Sequence, residues 1–356
     1  MLLYNRSHLK PITPEGDSKV VGEQAAIDQQ RRLAKLQRFA EKGSHEMNGR
    51  KKTRGQYVQA LLKQSPVSRN QIAAISGLSN PYILGLEQGH IANVGRDKLI
   101  SLAVALDLNL GQIDQMLTVF DRAGLTKEDI PVFLEASRRC RISAALHPAH
   151  DSYTLDLLLL SAERIKGDHV IVSPRPPSCL RAEGHRYYSE KALVSAHPIY
   201  GELVVAILRE RKRWLLKNLE DYSLEHFMCR RCIEDYIQRC EDEVERTWRM
   251  EHIRNTIALL DASENFRLFL TRECPSFVFV LKVPPKASRG KEKLVITVLP
   301  PHRFQVRTSG LLAGFATDSK AVILNFKEEI KYLREAVFEE FLDRRQMVRY
   351  LEGLIA

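Results

Sequence analysis

The chain has 356 residues, 44% hydrophobic and 28% charged, values that exclude a disordered or fibrous polymer and fit a folded protein of two or three domains. Six scattered cysteines exclude a disulfide scaffold, and no apolar stretch approaches the roughly 20 residues of a membrane helix. The net charge of +10 is unevenly placed: residues 1–150 carry 21 Lys+Arg against 14 Asp+Glu, and residues 151–356 carry 33 against 30. A basic excess in the N-terminal two fifths points to a polyanion, nucleic acid before membrane, because no basic amphipathic lipid-binding helix accompanies it. The start of the chain, MLLYNRSHLKP, lacks the apolar core of a signal peptide, so the expected location is cytoplasmic.

Residues 1–22 carry Pro11, Pro14 and Gly16 without periodicity and read as an arm. Glu23 to Lys42 is rich in helix formers, and residues 43–55 read as a polar linker ending in the basic run Arg50, Lys51, Lys52, Arg54. From Gln56 to Phe120 the pattern is one of short helices joined by tight turns. Tyr57, Val58, Leu61 and Leu62 mark the first. Ser68 is placed to cap a second helix with Ile72, Ala73 and Ile75 on its inner face, and Gly77 breaks it. Ser79 is placed to cap a third through Gln88, with Pro81 in its first turn and Gly89 as the stop. Two more follow, about Arg96 to Leu106 and from Leu110, and residues 126–146 predict a further one.

Beyond His147-Pro148 the composition shifts. Residues 167–174, 276–284, 293–300 and 321–326 read as strands, with a hairpin around PPKASRGKE. Helices are expected between them, including a long one from Ser223 to about Ala262 and another from Lys327 to the C-terminus. The expected architecture is therefore α+β and multidomain. An arm, helix and basic linker (1–53) precede an all-α region (54–146) and a larger α/β region for sensing or dimerisation (147–356).

The segment from Ser68 to Gly89 carries the functional signal. Two short helices with a glycine turn set the second across the first, where it can enter the DNA major groove. Ile72-Ala73, Gly77-Leu78-Ser79, Ile83, Leu86 and Glu87-x-Gly89, followed by the run from Leu99 to Ile113, resemble the helix-turn-helix family of Xre, Cro and lambda-type repressors over about residues 54–118. The resemblance implies that Arg69 anchors a phosphate and that Ser79, Asn80, Pro81, Tyr82 and Gly85 face the groove. Asn80 suits adenine, and Tyr82 suits phosphate or a thymine methyl. Arg69 replaces the family's usual glutamine, and Pro81 and Gly85 stand where polar readers are common. That implies thin direct readout, helped by DNA shape and by the basic arm with Lys52 and Arg54. Double-stranded DNA carrying an inverted repeat is the implied partner, bound by a homodimer, with a small-molecule ligand for the C-terminal region.

Other constellations are weaker. His226, Cys229, Cys232 and Cys240 have zinc-like spacing, but inside one long helix Cys229, Cys232, Tyr236 and Cys240 form a stripe that reads as core, so no metal ligand and no cofactor is expected. That same helix could serve as a dimerisation strut or pack on its own sheet. Arg209, Arg211, Lys212, Arg213 and Lys217 read as a solvated face, with an anion site as the alternative. No HExxH, GxSxG, Walker loop or GxGxxG after a strand is present, so no catalytic residue is assigned. The C-terminal strand–helix pattern is faintly similar to phospholipase-D-like sensor modules but lacks their HxK signature. The competing functional reading is a DNA-tethered enzyme, or a defence or antitoxin-type effector, with its activity in the C-terminal region.

Overall fold

Helix starts in the first third of the chain are set by short polar side chains. The structure, a computed structural model, describes residues 54–91, 93–143, 145–298 and 313–356. The expected arm, the helix from Glu23 and the linker with Lys52 lie outside them. Helix α1 spans Arg54–Gln64 and α2 spans Arg69–Ser76. Ser68 caps α2 in a reciprocal capping box with Gln71, and Gly77 ends it at φ 69°, a left-handed conformation that glycine adopts without penalty. Ser79 caps α3 (Asn80–Glu87) with Pro81 in its first turn, where a missing N–H costs nothing. Helix α4 (Arg96–Ala105) is buried from Leu99 to Ala105, and Asn109 caps α5 (Leu110–Val119). A 3₁₀ turn at Lys127–Asp129 leads into α6 (Ile130–Arg139). The helix predicted over 126–146 therefore stops at Arg139, and strand β1 (His147–Ala149) follows soon after.

The remaining elements are α7 (Ser152–Glu163), β2 (Asp168–Val172), a 3₁₀ turn at Ser178–Leu180, α8 (Glu183–Ser189), α9 (Lys191–Ala196), α10 (Tyr200–Leu219) and β3 (Leu224–Cys229). They continue as α11 (Arg230–Gln238), α12 (Glu243–Ala262), β4 (Phe266–Thr271), β5 (Val278–Val283), β6 (Lys293–Thr297), β7 (Gly314–Thr317), α13 (Lys320–Glu335), a 3₁₀ turn at Glu339–Phe341 and α14 (Arg344–Ile355). The strands form one seven-stranded sheet in the order β1-β7-β6-β5-β2-β3-β4. β2, β3 and β4 run parallel, whereas β2–β5, β5–β6, β6–β7 and β1–β7 pair antiparallel. The predicted hairpin is β5–β6, with Val278 opposite Thr297 and Lys282 opposite Lys293. The mixed helix-and-sheet class is as expected.

Two of the expectations that fail do so for one reason: continuous apolar runs do not distinguish a buried strand from a helix. Residues 321–326 are helical, not a strand. Ile323, Ile330 and Leu333 share one buried face of α13, while Leu324 in the same run is 51% exposed. The long helix from Ser223 does not form either. Leu224–Cys229 is β3, buried at five of six positions between β2 and β4, and two separate helices follow it. The helix expected from Lys327 to the C-terminus is likewise interrupted between α13 and α14.

Side chains alternate across the sheet with period two. Val170 and Val172 face α13 together with Phe227, Phe279 and Leu281, whereas Ile171 and Val280 face a second core with Leu155, Leu159, Leu208 and Ile233. A third core joins Val58, Ile72, Ile83, Leu86, Leu99 and Phe133 of the N-terminal helices to Tyr153, Leu157 and Leu160 of α7 and Leu203, Val204 and Ile207 of α10. Apolar packing is thus continuous across residues 146–147. Helix α7 has a face in each of two cores.

Candidate functional site

The starts of α2 and α3 lie side by side. Asn80 Nδ2 donates to Asn70 Oδ1 at 2.6 Å, and Arg69 forms an ion pair with Glu87 near the end of α3. Ser68, Arg69, Asn70, Asn80, Pro81 and Leu84 line a shallow depression of about 490 Å³. Ile72 and Ile83 are fully buried beneath it and Leu86 nearly so, which fixes the crossing of the two helices.

The structure thus gathers three of the eight sequence-predicted residues, Arg69, Asn80 and Pro81, in one depression. It adds Asn70 and Leu84, the latter an exposed apolar side chain that periodicity had not singled out. Ser79 does not line the depression, and its Oγ accepts from the Tyr82 N–H at 3.3 Å as a cap. Tyr82 is half-buried, with the Lys98 ammonium 4.6 Å from its ring centre. Gly85 has a packing role: a Cβ there would stand 3.0 Å from Ile91 Cδ1, and its carbonyl accepts from the His90 and Ile91 N–H groups. Arg54 is tied to the end of α5, where it pairs with Asp121, donates to the Val119 carbonyl at 3.3 Å and lies 5.8 Å from the Phe120 ring. Lys52 lies outside the described residues. Sequence reasoning also missed Gly55: a Cβ there would come within 2.8 Å of Glu87 O and Gly89 N, so α1 crosses the end of α3 backbone to backbone. The basic excess is not concentrated on these helices, since residues 54–146 carry 10 Lys+Arg against 8 Asp+Glu and residues 1–53 carry 11 against 6.

Comparison of the chain with protein families, with curated proteins and with solved structures finds no match.

A second constellation lies in the α/β region, where three carboxylates and two guanidiniums are buried together. Arg211 bonds Glu163 through Nε at 2.9 Å and Nη2 at 2.7 Å, and Asp156 through Nη1 at 2.7 Å. Arg186 reaches Asp156 at 2.7 Å and Glu190 at 3.1 Å, and Tyr200 donates to Glu190 at 3.0 Å. The paired guanidiniums hold Asp156 below the usual carboxylate range despite its burial, whereas burial wins at Glu163 and raises it. Arg211, grouped from sequence with Arg209 and Arg213 on one solvated face, is 3% exposed. Arg209 and Arg213 remain outside, paired with Glu183 and Glu210.

The cysteine stripe is redrawn as well. Cys229 ends β3 and Cys232 sits in the first turn of α11, and Cys274, which follows β4, joins them in place of Cys240. The three sulfurs lie within 4.8 Å of one another, with Cys232 Sγ and Cys274 Sγ 3.5 Å apart. Hydrogen bonding from Cys232 pulls the Cys229 thiol down to about 6. Such a donor set suits a thiophilic cation. The third member became visible only when parallel pairing set Cys229 opposite Thr271, three residues before Cys274. Cys240 instead contacts the Asp242 carbonyl at 3.3 Å, and burial pushes the His226 imidazole, on β3, down to about 3.

Proposed function

We propose that the chain is a sequence-specific DNA-binding transcriptional regulator of the helix-turn-helix type, acting in the cytoplasm as a homodimer on an inverted repeat. The observation that carries this reading is the exposed, polar junction of the starts of α2 and α3 above a rigid apolar crossing. Arg69 supplies a phosphate contact, the amides of Asn70 and Asn80 reach base edges, and Leu84 meets a thymine methyl. Capped helix starts add backbone N–H groups that favour an anion. One such helix reads a half-site, so two copies about 34 Å apart are needed to read the repeat. The α/β region then serves dimerisation or ligand sensing.

The test is fluorescence anisotropy of the purified chain on DNA enriched from a random library, over a salt series from about 50 to 200 mM. Binding that weakens log-linearly with salt is the expected result. Arg69→Ala weakens all sequences alike and lowers the salt slope by about one, whereas Asn80→Ala loses about 1–3 kcal/mol of discrimination at one position. No enrichment and no binding at low salt would end the reading.

A further inference from the structure

The chain passes from β3 into α11 with no loop between them. Cys229 is both the last residue of β3 and the N-cap of α11, and Cys232 is the third residue of that helix. A C-x2-C spacing at such a junction is one that pairs of zinc ligands use. Strand β4 lies beside β3 in parallel register, with Cys229 opposite Thr271, so the chain leaving β4 brings Cys274 to the same place. Ligand sites in α/β sheets gather at these carboxyl ends of parallel strands.

The segment that carries Cys274 is held on both sides of it. Thr271 Oγ1 donates to the Glu273 carbonyl at 2.7 Å, the Arg272 N–H to the Ala336 carbonyl at 2.9 Å and the Ser276 N–H to Glu329 Oε1 at 3.0 Å. The three sulfurs lie within 4.8 Å of one another, and those of Cys232 and Cys274 are 3.5 Å apart. Tetrahedral bonds of about 2.3 Å from zinc set sulfurs about 3.8 Å apart, between those two distances. Apolar packing does not account for the cluster. Cys229 and Cys232 are buried, yet neither belongs to the apolar cores that take in their neighbours Phe227, Met228 and Ile233. The buried Cys179 does belong to one.

We infer that Cys229, Cys232 and Cys274 bind one Zn²⁺ as thiolates, with the fourth coordination position left to water or an external ligand. Among the described residues no other His, Cys, Asp or Glu joins the group, and three protein ligands are the set of a zinc site with an open position. Thiolate sulfur favours zinc over the hard cations magnesium and calcium. Each thiol that enters as a thiolate gives its proton to solvent, so binding tightens as pH rises. Three thiolates around Zn²⁺ leave one negative charge, and Arg231 lies close enough to Cys274 to act on it electrostatically. Cys274 is half-buried, whereas its two partners are buried, so the cation enters from its side. The site stands independently of DNA binding, and its test contains no DNA, so the two readings fail separately.

The experiment uses the purified full chain with its thiols reduced, and Zn²⁺ and Co²⁺ as probes. Competition against a chromophoric chelator should show one Zn²⁺ per chain, and thermal unfolding should rise with Zn²⁺ and saturate. Co²⁺ should give a thiolate-to-metal charge-transfer band in the near ultraviolet with the intense visible bands of a tetrahedral site. Cys274→Ser should weaken Zn²⁺ binding by at least about 100-fold, beyond the loss typical of a residue that only supports a ligand, and should remove most of the charge-transfer band. Its metal-free melting temperature should stay that of the parent. Cys240→Ser should bind as the parent does. In the parent chain Zn²⁺ should protect Cys274 from alkylation by iodoacetamide, read by peptide mass, which needs no variant. Four results would each overturn the inference: no stoichiometric Zn²⁺ on the reduced parent, a cobalt spectrum without thiolate bands, parent-like binding by Cys274→Ser, or alkylation of Cys274 at the same rate with and without Zn²⁺.

Discussion

The N-terminal helices and the α/β region bury different things. Beneath α2 and α3 the interior is apolar, with Ile72, Ile83, Leu99 and Phe133 fully buried, and the polar side chains of those two helices lie chiefly on the outer face. The α/β region buries Asp156, Glu163, Glu190, Arg181, Arg186 and Arg211, and with them His147, His169, His226 and His252. Charges on the outer face keep their hydration, whereas charges held dry need a network of partners to replace it. Helix α7 joins the two regimes, because Tyr153 donates to the Leu108 carbonyl on the helical side while Asp156 accepts from Arg186 and Arg211 on the other.

Acid should separate the two regions most strongly. Burial pushes the His147 imidazole down to about 4 and that of His226 to about 3, and His169 and His252 also lie well below the ordinary histidine range. A depressed folded-state pKa means that the unfolded chain binds the proton first. The stability these groups contribute is therefore complete above about pH 6.5 and is lost as pH falls toward 4. Each contributes about 1.4 kcal/mol per pH unit within that window. Asp151, raised to about 6 by burial, works in the opposite direction, as do Asp107 and Glu163, three carboxyls against four histidines. Urea midpoints followed between pH 7 and 4 should fall steeply, with the strand signal lost first. Equal loss of helix and strand signals at every pH would erase the distinction.

Arg211→Met tests the buried network directly. It strands Glu163, leaves Asp156 with Arg186 alone, and should cost about 3–5 kcal/mol in urea unfolding at pH 7. Adding Glu163→Gln should recover part of that loss, which a purely steric role for Arg211 would not allow. In the helical region the corresponding test is Ile83→Ala, expected to cost about 2–5 kcal/mol through transfer and cavity terms, with no pH dependence between 5 and 8. Gly55→Ala should cost less, about 1–3 kcal/mol, because a Cβ 2.8 Å from Glu87 O forces α1 away from the end of α3. If Gly55→Ala left DNA affinity untouched, that crossing would have no part in positioning the face.

Much of the helical region could be read directly from the chain. Ser68, Gly77, Ser79, Pro81 and Gly89 act within a few residues of themselves, so the bounds of α2 and α3 followed from local chemistry. The face was legible in part. Helical spacing placed Arg69 and Asn80 outward, but the packing of Gly85 on Ile91 and the pairing of Arg54 with Asp121 depend on neighbours that spacing does not reveal. In the α/β region less was visible. Leu224–Cys229 reads equally well as helix or strand, and only its place between two parallel neighbours decided it.

What the sequence alone determined, then, is what short-range forces control: helix caps, the Gly77 turn, the β5–β6 hairpin and the side of the chain on which charge accumulates. The tertiary structure decided which cysteine joins Cys229 and Cys232, which arginine of the Arg209–Lys217 cluster is buried, and which carboxylates Arg186 and Arg211 share. Those outcomes depend on contacts between residues tens of positions apart. Burial converts such contacts into large energies, and no local pattern records them.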